Sequence, residues 1–154
     1  MNFKSNDLKE FRKSKGLLID VRSPEEYYKG HMPNSISIPI FNNEERSIIG
    51  KKYKYSGREN AVREGFKIIE NKIDKIINKF ILVKKEFHIS TIDKTANDTY
   101  IKIYCARGGM RSQSMLWLLE KFHYPCITLN GGYKTYRNWV LNIFKDRQKI
   151  IVIG

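Results

Sequence analysis

Cysteine is scarce in this chain: Cys105 and Cys126 are the only two in 154 residues. Two thiols cannot build the disulfide framework of a small secreted domain, so a reducing cytoplasm is the expected setting. No apolar run is long enough to span a bilayer, and no membrane partner is expected. The first residues, Met1 to Asp7, lack the apolar stretch of a signal peptide. The three histidines have no metal-like spacing to the cysteines, so no metal site is expected. Acid is also in short supply. Asp plus Glu total 16 against 29 Lys plus Arg, a formal net charge of +13. Such a balance favours a polyanionic partner, nucleic acid first, although a Lys-, Ile- and Asn-rich composition would produce the same excess. From Tyr100 onward nine basic residues meet two acidic ones, Glu120 and Asp146.

What is present is an alternation of strands and helices in a chain of one-domain size. Lys9 to Lys15 reads as a short helix end, and Leu17 to Val21 as a buried strand. Ser23 as N-cap, Pro24 at the first helical position and Glu26 as capping-box partner start a helix that Gly30 and Pro33 stop. Ser35 to Pro39 is a short strand, followed by a polar, basic stretch from Asn42 to Arg58. Val62, Phe66, Ile69, Ile73, Ile76 and Phe80 step by threes and fours, which predicts one long helix from Glu59 to about Lys84. His88 to Asp98 reads as a loop and Tyr100 to Tyr104 as a strand. A helix then runs to Tyr124-Pro125, a strand covers Cys126 to Leu129, and a helix covers Tyr133 to Lys145. Trp139, Val140 and Phe144 form the apolar side of that last helix. Lys149 to Ile153 is a final apolar strand. The pattern predicts a mainly parallel sheet covered on both faces.

Between the Tyr100 strand and its helix lie Cys105, Ala106, Arg107, Gly108, Gly109, Met110 and Arg111. A loop of this kind can aim successive backbone N–H groups into one concavity at a positive helix N-terminus. Cys105 there reads as a nucleophile, with the loop and Arg111 holding an anion over the sulfur. The plainer alternative is a buried cysteine at a strand end, but two arginines and two glycines in six residues make a poor core. Asp20 and Arg22 are expected to brace loops, His31 to make a structural hydrogen bond, and Cys126 to be core. Lys51, Lys52, Lys54 and Arg58, beside Tyr53 and Tyr55, could bind RNA phosphate and stack a base, or form a solvated surface.

Several of these pieces resemble the rhodanese family. They are Asp20-Val21-Arg22 with Glu26-Tyr27 and Gly30-His31-Met32-Pro33, the cysteine loop, and Leu129-Asn130-Gly131-Gly132 with Trp139 downstream. The resemblance covers most of the chain except the segment from Glu59 to Phe87. It implies an α/β fold whose cysteine carries sulfur or a similar chalcogen. A narrower set is similar to the tRNA 2-selenouridine synthase family: Asn42 to Arg46, Gly50 to Lys54 with Gly57, Tyr104 to Ser112, and Gly131 to Arg137. That likeness implies a rhodanese-like domain over 1–147, with a helical insertion at about 42–87. It implies that 148–154 is the first strand of a P-loop domain, with Gly154 opening the phosphate loop. The implied reaction is replacement of sulfur by selenium in wobble 2-thiouridine of tRNA. Selenophosphate would be the co-substrate, and geranyl diphosphate would be used through the P-loop domain, in cis or as a separate polypeptide. Cys105 would be catalytic, the loop from Ala106 to Arg111 would bind the anion, and Lys51, Lys52, Lys54, Arg58, Lys134 and Arg137 would contact tRNA. No bound cofactor is implied.

Three other readings stay open at this point. Five residues separate Cys105 from Arg111, the spacing of cysteine-dependent phosphatases, although Tyr104 stands where those enzymes usually place His and no general acid is evident. A general sulfurtransferase and a module that only docks RNA or a partner protein are the others.

Overall fold

A computed structural model describes residues 5–86 and 99–145. Within them, five parallel strands form one sheet in the order β1-β5-β4-β2-β3. They are β1 (Ser5–Asn6), β2 (Lys15–Asp20), β3 (Ile36–Ser37), β4 (Thr99–Tyr104) and β5 (Cys126–Leu129). The centre is the β2–β4 pair, in register from Lys15 against Thr99 to Asp20 against Tyr104. The expected loop at 88–98 and strand at 149–153 lie outside the described residues. No helix among the described residues is long and apolar enough to cross a membrane.

Helices cover both faces, as expected for strands this apolar. Alternation along β4 sends Ile101, Ile103 and, just beyond it, Cys105 to one side. There they meet α5 (Met110–Lys121) through Met115, Leu116 and Leu119, and α4 (Ile73–Glu86) through Ile76, Phe80 and Val83. Tyr104 goes to the other side, into a cluster with Phe11 of α1 (Leu8–Lys13), Ile127 and Leu129. Tyr133 and Tyr136 of α6 (Gly132–Lys145) pack against it.

The insertion departs from the sequence expectation. Helix begins at Asn43, where the resemblance placed the start of a helical insertion, although periodicity alone marked helix only from Glu59; Asn42 and Glu45 form its capping box. The element α3 (Asn43–Glu70) is interrupted at Gly57, where φ is 83° and ψ 171°, a backbone state that only glycine adopts without strain. Lys52 bridges the interruption to Glu64 at 2.6 Å. A second break at Asn71–Lys72 precedes α4, so one expected helix is two and the apolar stripe changes phase. Phe66 is 59% exposed, while Ala61 and Gly65 face inward instead. Ile76 and Phe80 stay in the core, Phe80 edge-on to Tyr124 at 5.0 Å. Phe144, expected on the apolar side of α6, is 79% exposed. Strand β1 and the start of β2 at Lys15 were not anticipated, because two polar residues and a lysine–glycine pair carry no strand pattern.

Phe80→Ala should therefore cost about 3–5 kcal/mol, the usual range for emptying a buried aromatic site. Phe66→Ala should stay within about 0.5 kcal/mol. Urea unfolding of both variants checks this; equal losses would restore the single continuous stripe.

Candidate functional site

Cys105 follows directly on β4, and α5 starts five residues later at Met110. Between them the chain turns through Gly108 at φ 65°. The loop is held from outside by the turn after β5. Tyr133 N–H donates to the Cys105 carbonyl at 2.8 Å, and Lys134 N–H to the Ala106 carbonyl at 3.0 Å. The first amides of α6 thus cap the carbonyls of the cysteine loop. The approach is close enough to exclude side chains. A Cβ on Gly132 (φ 56°) would lie 2.2 Å from the Cys105 oxygen, and one on Gly108 would lie 2.6 Å from the Leu129 oxygen. This explains a Gly-Gly pair far from the cysteine in sequence.

Cys105 is buried, at 3% exposure. Its sulfur receives the Gly109 N–H at 3.3 Å, and the Ser112 hydroxyl lies at 3.3 Å. Ser112 is fully buried and also donates to the Gly109 carbonyl at 2.9 Å. Its single proton can serve either acceptor, so it can follow a charge change on the sulfur. Sequence reading missed Ser112 because a serine in the first turn of a helix normally signals only capping. Among the described residues, no group accepts from the amides of Ala106, Arg107 or Gly108. Arg107 is exposed at the loop tip, whereas Ala106 and Gly108 are half-buried.

Arg111 is placed differently from the anion-holding role given to it. Its two terminal nitrogens bind Glu26 of α2 (Pro24–Tyr28), at 2.6 and 3.2 Å. Arg46 of α3 adds a longer contact to the same carboxylate, at 3.7 Å. Burial alone would raise the Glu26 pKa, but the hydrogen bonds and charge of Arg111 outweigh it and bring it down from 4.5 to about 2. Arg111 thereby ties the start of α5 to α2, and its charge is answered inside the fold. Met110 is exposed at the first position of α5.

Asp20 and Arg22 brace the same end of the sheet. Arg22 Nη2 binds Asp20 at 2.6 Å and the Gly30 carbonyl at 2.7 Å, and the guanidinium lies 4.0 Å over the Tyr133 ring. Burial works against the Arg22 charge, but the hydrogen bond and charge of Asp20 prevail and raise its pKa. His31 stacks on Tyr27 at 3.9 Å and bonds its carbonyl at 3.0 Å. Tyr104 accepts the Met32 N–H and bonds Ser35, and burial pushes its pKa up. Cys126 is in the core, where burial and then the Glu120 charge push its thiol up. Neither cysteine is paired in a disulfide.

The basic residues divide. Lys51, Lys54 and Arg58 are exposed near Tyr53 and Tyr55, which are 61% and 75% exposed. Lys52 is bound to Glu64. Asn43 accepts the Glu25 N–H at 2.9 Å, so α3 starts beside α2 and carries Lys54 roughly 16 Å further along. Lys134 and Arg137 are exposed on the first turns of α6. His88 lies outside the described residues.

Glu26 also sets a pH dependence. Its folded pKa is depressed, so its contribution is complete above about pH 4.5 and is lost as pH falls toward 2. Glu26→Gln should lower stability at pH 7 by about 2–3 kcal/mol, and the gap from wild type should close below about pH 3. Thermal melts of both proteins from pH 7 to 2.5 check this; a constant gap would remove Glu26 as the cause.

Comparison with known proteins agrees with this geometry. The profile of the rhodanese-like domain family matches residues 5–138. A tRNA 2-selenouridine synthase of Sulfurovum sp. (strain NBC37-1) is 35% identical over 155 residues, covering 97% of this chain and 39% of that protein. One of Proteus mirabilis (strain HI4320) is 36% identical over 143 residues, covering 89% of this chain and 36% of its own length. The chain therefore spans little more than a third of the curated relatives it matches. Among solved structures, the N-terminal domain of a protein described as ATP/GTP binding, from Clostridium difficile 630, superposes with a TM-score of 0.74. It is 35% identical, with 90% of this chain and 99% of that one covered. The parallel sheet, the cysteine loop that closes it and these matches agree: the chain belongs to the rhodanese-like domain family.

Proposed function

We propose that this domain serves in the selenation of tRNA, with Cys105 taking part in delivery of selenium to wobble 2-thiouridine. One observation carries the reading: a cysteine sulfur at the base of a parallel-sheet loop, bonded by the Gly109 amide and flanked by amides that have no acceptor among the described residues. Such a loop suits an anion above the sulfur, and selenophosphate or the phosphate it leaves is the anion proposed. The amides of Ala106, Arg107 and Gly108, with the exposed Arg107, are the groups that would hold it. Arg111 shapes the loop through Glu26. The relatives named tRNA 2-selenouridine synthase support the same substrate class. Lys51, Lys54, Arg58, Lys134 and Arg137 are the residues proposed to meet tRNA phosphates. The cytoplasm is the compartment proposed.

A phosphatase is disfavoured by a specific contact. The arginine that would cradle phosphate has both terminal nitrogens on Glu26. Hydrolysis of a small aryl phosphate by the chain would revive that reading.

Because the chain is about a third of its relatives, a P-loop domain, in cis or as a separate polypeptide, is proposed to supply the geranyl diphosphate step. Supplied with that domain, geranyl diphosphate, selenophosphate and thiolated tRNA, wild type should form selenouridine. Cys105→Ser should abolish it with unchanged melting, since a serine hydroxyl is far less nucleophilic at neutral pH. Cys126→Ser should keep activity. Selenouridine formed at the wild-type rate by Cys105→Ser would end the mechanism, and selenouridine formed by the chain alone would end the need for a partner domain.

Binding to tRNA should weaken steeply with salt, through release of condensed counterions. A salt-independent affinity between about 50 and 200 mM would remove electrostatics from the explanation.

A further inference from the structure

The sheet face opposite Cys105 carries a feature the proposed chemistry does not use. A groove between α1 and α6, about 490 Å³ in volume, is lined by Leu8, Lys9, Arg12, Lys13 and Trp139. Three of these five residues are cations, and all three are exposed. Among the described residues, no carboxylate pairs with any of them. Glu10, next to Lys9 in sequence, is exposed, and the other nearby acid, Asp7, accepts the Glu10 N–H as the cap of α1. Beneath the groove sits a fourth cation, Lys102. It is buried, and its ammonium donates to the Ser14 carbonyl at 2.8 Å. Burial and then the Arg12 charge lower its pKa, a sign of the crowded positive field.

The floor of the groove is aromatic. The Arg12 guanidinium lies 3.9 Å from the centre of the Trp139 ring. Trp139 ends a ladder of rings with Tyr136, Tyr133 and Tyr104, at spacings of 5.9, 6.2 and 6.3 Å. The far end of that ladder adjoins the site, because Tyr133 caps the Cys105 carbonyl and Tyr104 precedes Cys105. A ligand here therefore meets a surface continuous with the cysteine loop's own supports.

Unanswered cations attract a polyanion, while a guanidinium layered on an indole offers a flat surface to a base. An acidic peptide would use the charge but not the flat surface. The volume lies within the roughly 300–1,000 Å³ usual for small-molecule sites, which fits an unpaired nucleotide and not a duplex. We infer that the α1–α6 groove binds a single-stranded segment of RNA, with Lys9 and Lys13 on phosphates and a base against Arg12 and Trp139. The inference rests on the tRNA reading and adds a second contact face to it.

The test is binding of fluorescently labelled tRNA, and of an oligouridylate, across a salt series. Lys9→Gln/Lys13→Gln is compared with Lys75→Gln/Lys79→Gln, which removes the same charge from exposed positions on α4. The groove pair should lose about tenfold in affinity, and its log–log salt slope should fall by about 1.4–1.8, the value for two phosphate contacts. The α4 pair should show neither effect. Trp139 emission, read in a Trp117→Phe background, should change on adding oligouridylate. If the groove pair matches the α4 pair while wild type binds tRNA, the groove assignment is overturned and the tRNA reading stands. If wild type binds no tRNA, both fall. Displacement of tRNA by polyglutamate at equal charge concentration, with no change in Trp139 emission on RNA, would also overturn the assignment.

Discussion

The site exists because the turn at Gly131–Gly132 lies directly against the Cys105 loop. Two amides of α6 cap two carbonyls of that loop, at 2.8 and 3.0 Å. Those two carbonyls are thereby fixed against the α6 turn. A Cβ at Gly132 would overlap the Cys105 oxygen, the Gly108 nitrogen and the Arg107 nitrogen together, so no nearby rotamer change relieves it. The side chains that then reach the sulfur, Ser112 foremost, depend on the loop keeping this shape.

Charge follows the same logic. Near the sheet's C-terminal end, Arg22 is answered by Asp20 and Arg111 by Glu26, both at 2.6 Å and mostly buried. Breaking such a pair leaves a buried charge without its partner, which makes these arginines costly to disturb and poor ligands for a transient anion. Cations with no carboxylate partner among the described residues are on the surface instead: Arg107 at the loop tip, Lys51, Lys54 and Arg58 on α3, and Lys9, Arg12 and Lys13 beside Trp139. The pairs that hold the fold carry no net charge, so they contribute nothing to the excess of +13.

Local patterns in the sequence proved legible where the physics is local. The Ser23–Glu26 capping box, the alternation along β4, and a cysteine followed by glycines before a helix each involve neighbours within a few residues. What failed was non-local. Glu26 and Arg111 are 85 positions apart, so nothing near Arg111 announces that a carboxylate occupies it. The stripe from Val62 to Phe80 marks helical periodicity, but not that breaks at Gly57 and Asn71 would rotate one piece and expose Phe66. Strand β1 pairs Ser5 and Asn6 with Thr128 and Leu129 of β5, and two polar residues carry no alternating pattern that would mark a strand.

Reactivity of Cys105 reports on the loop most directly. Iodoacetamide labelling of the folded chain at neutral pH, followed by mass spectrometry of the Cys105 and Cys126 peptides, measures it. A sulfur held by the Gly109 amide beneath an anion cradle should react well before Cys126 and be slowed several-fold by phosphate. Chloride at matched ionic strength should leave the rate unchanged. Equal labelling of the two cysteines, with no protection by phosphate, would contradict the cradle.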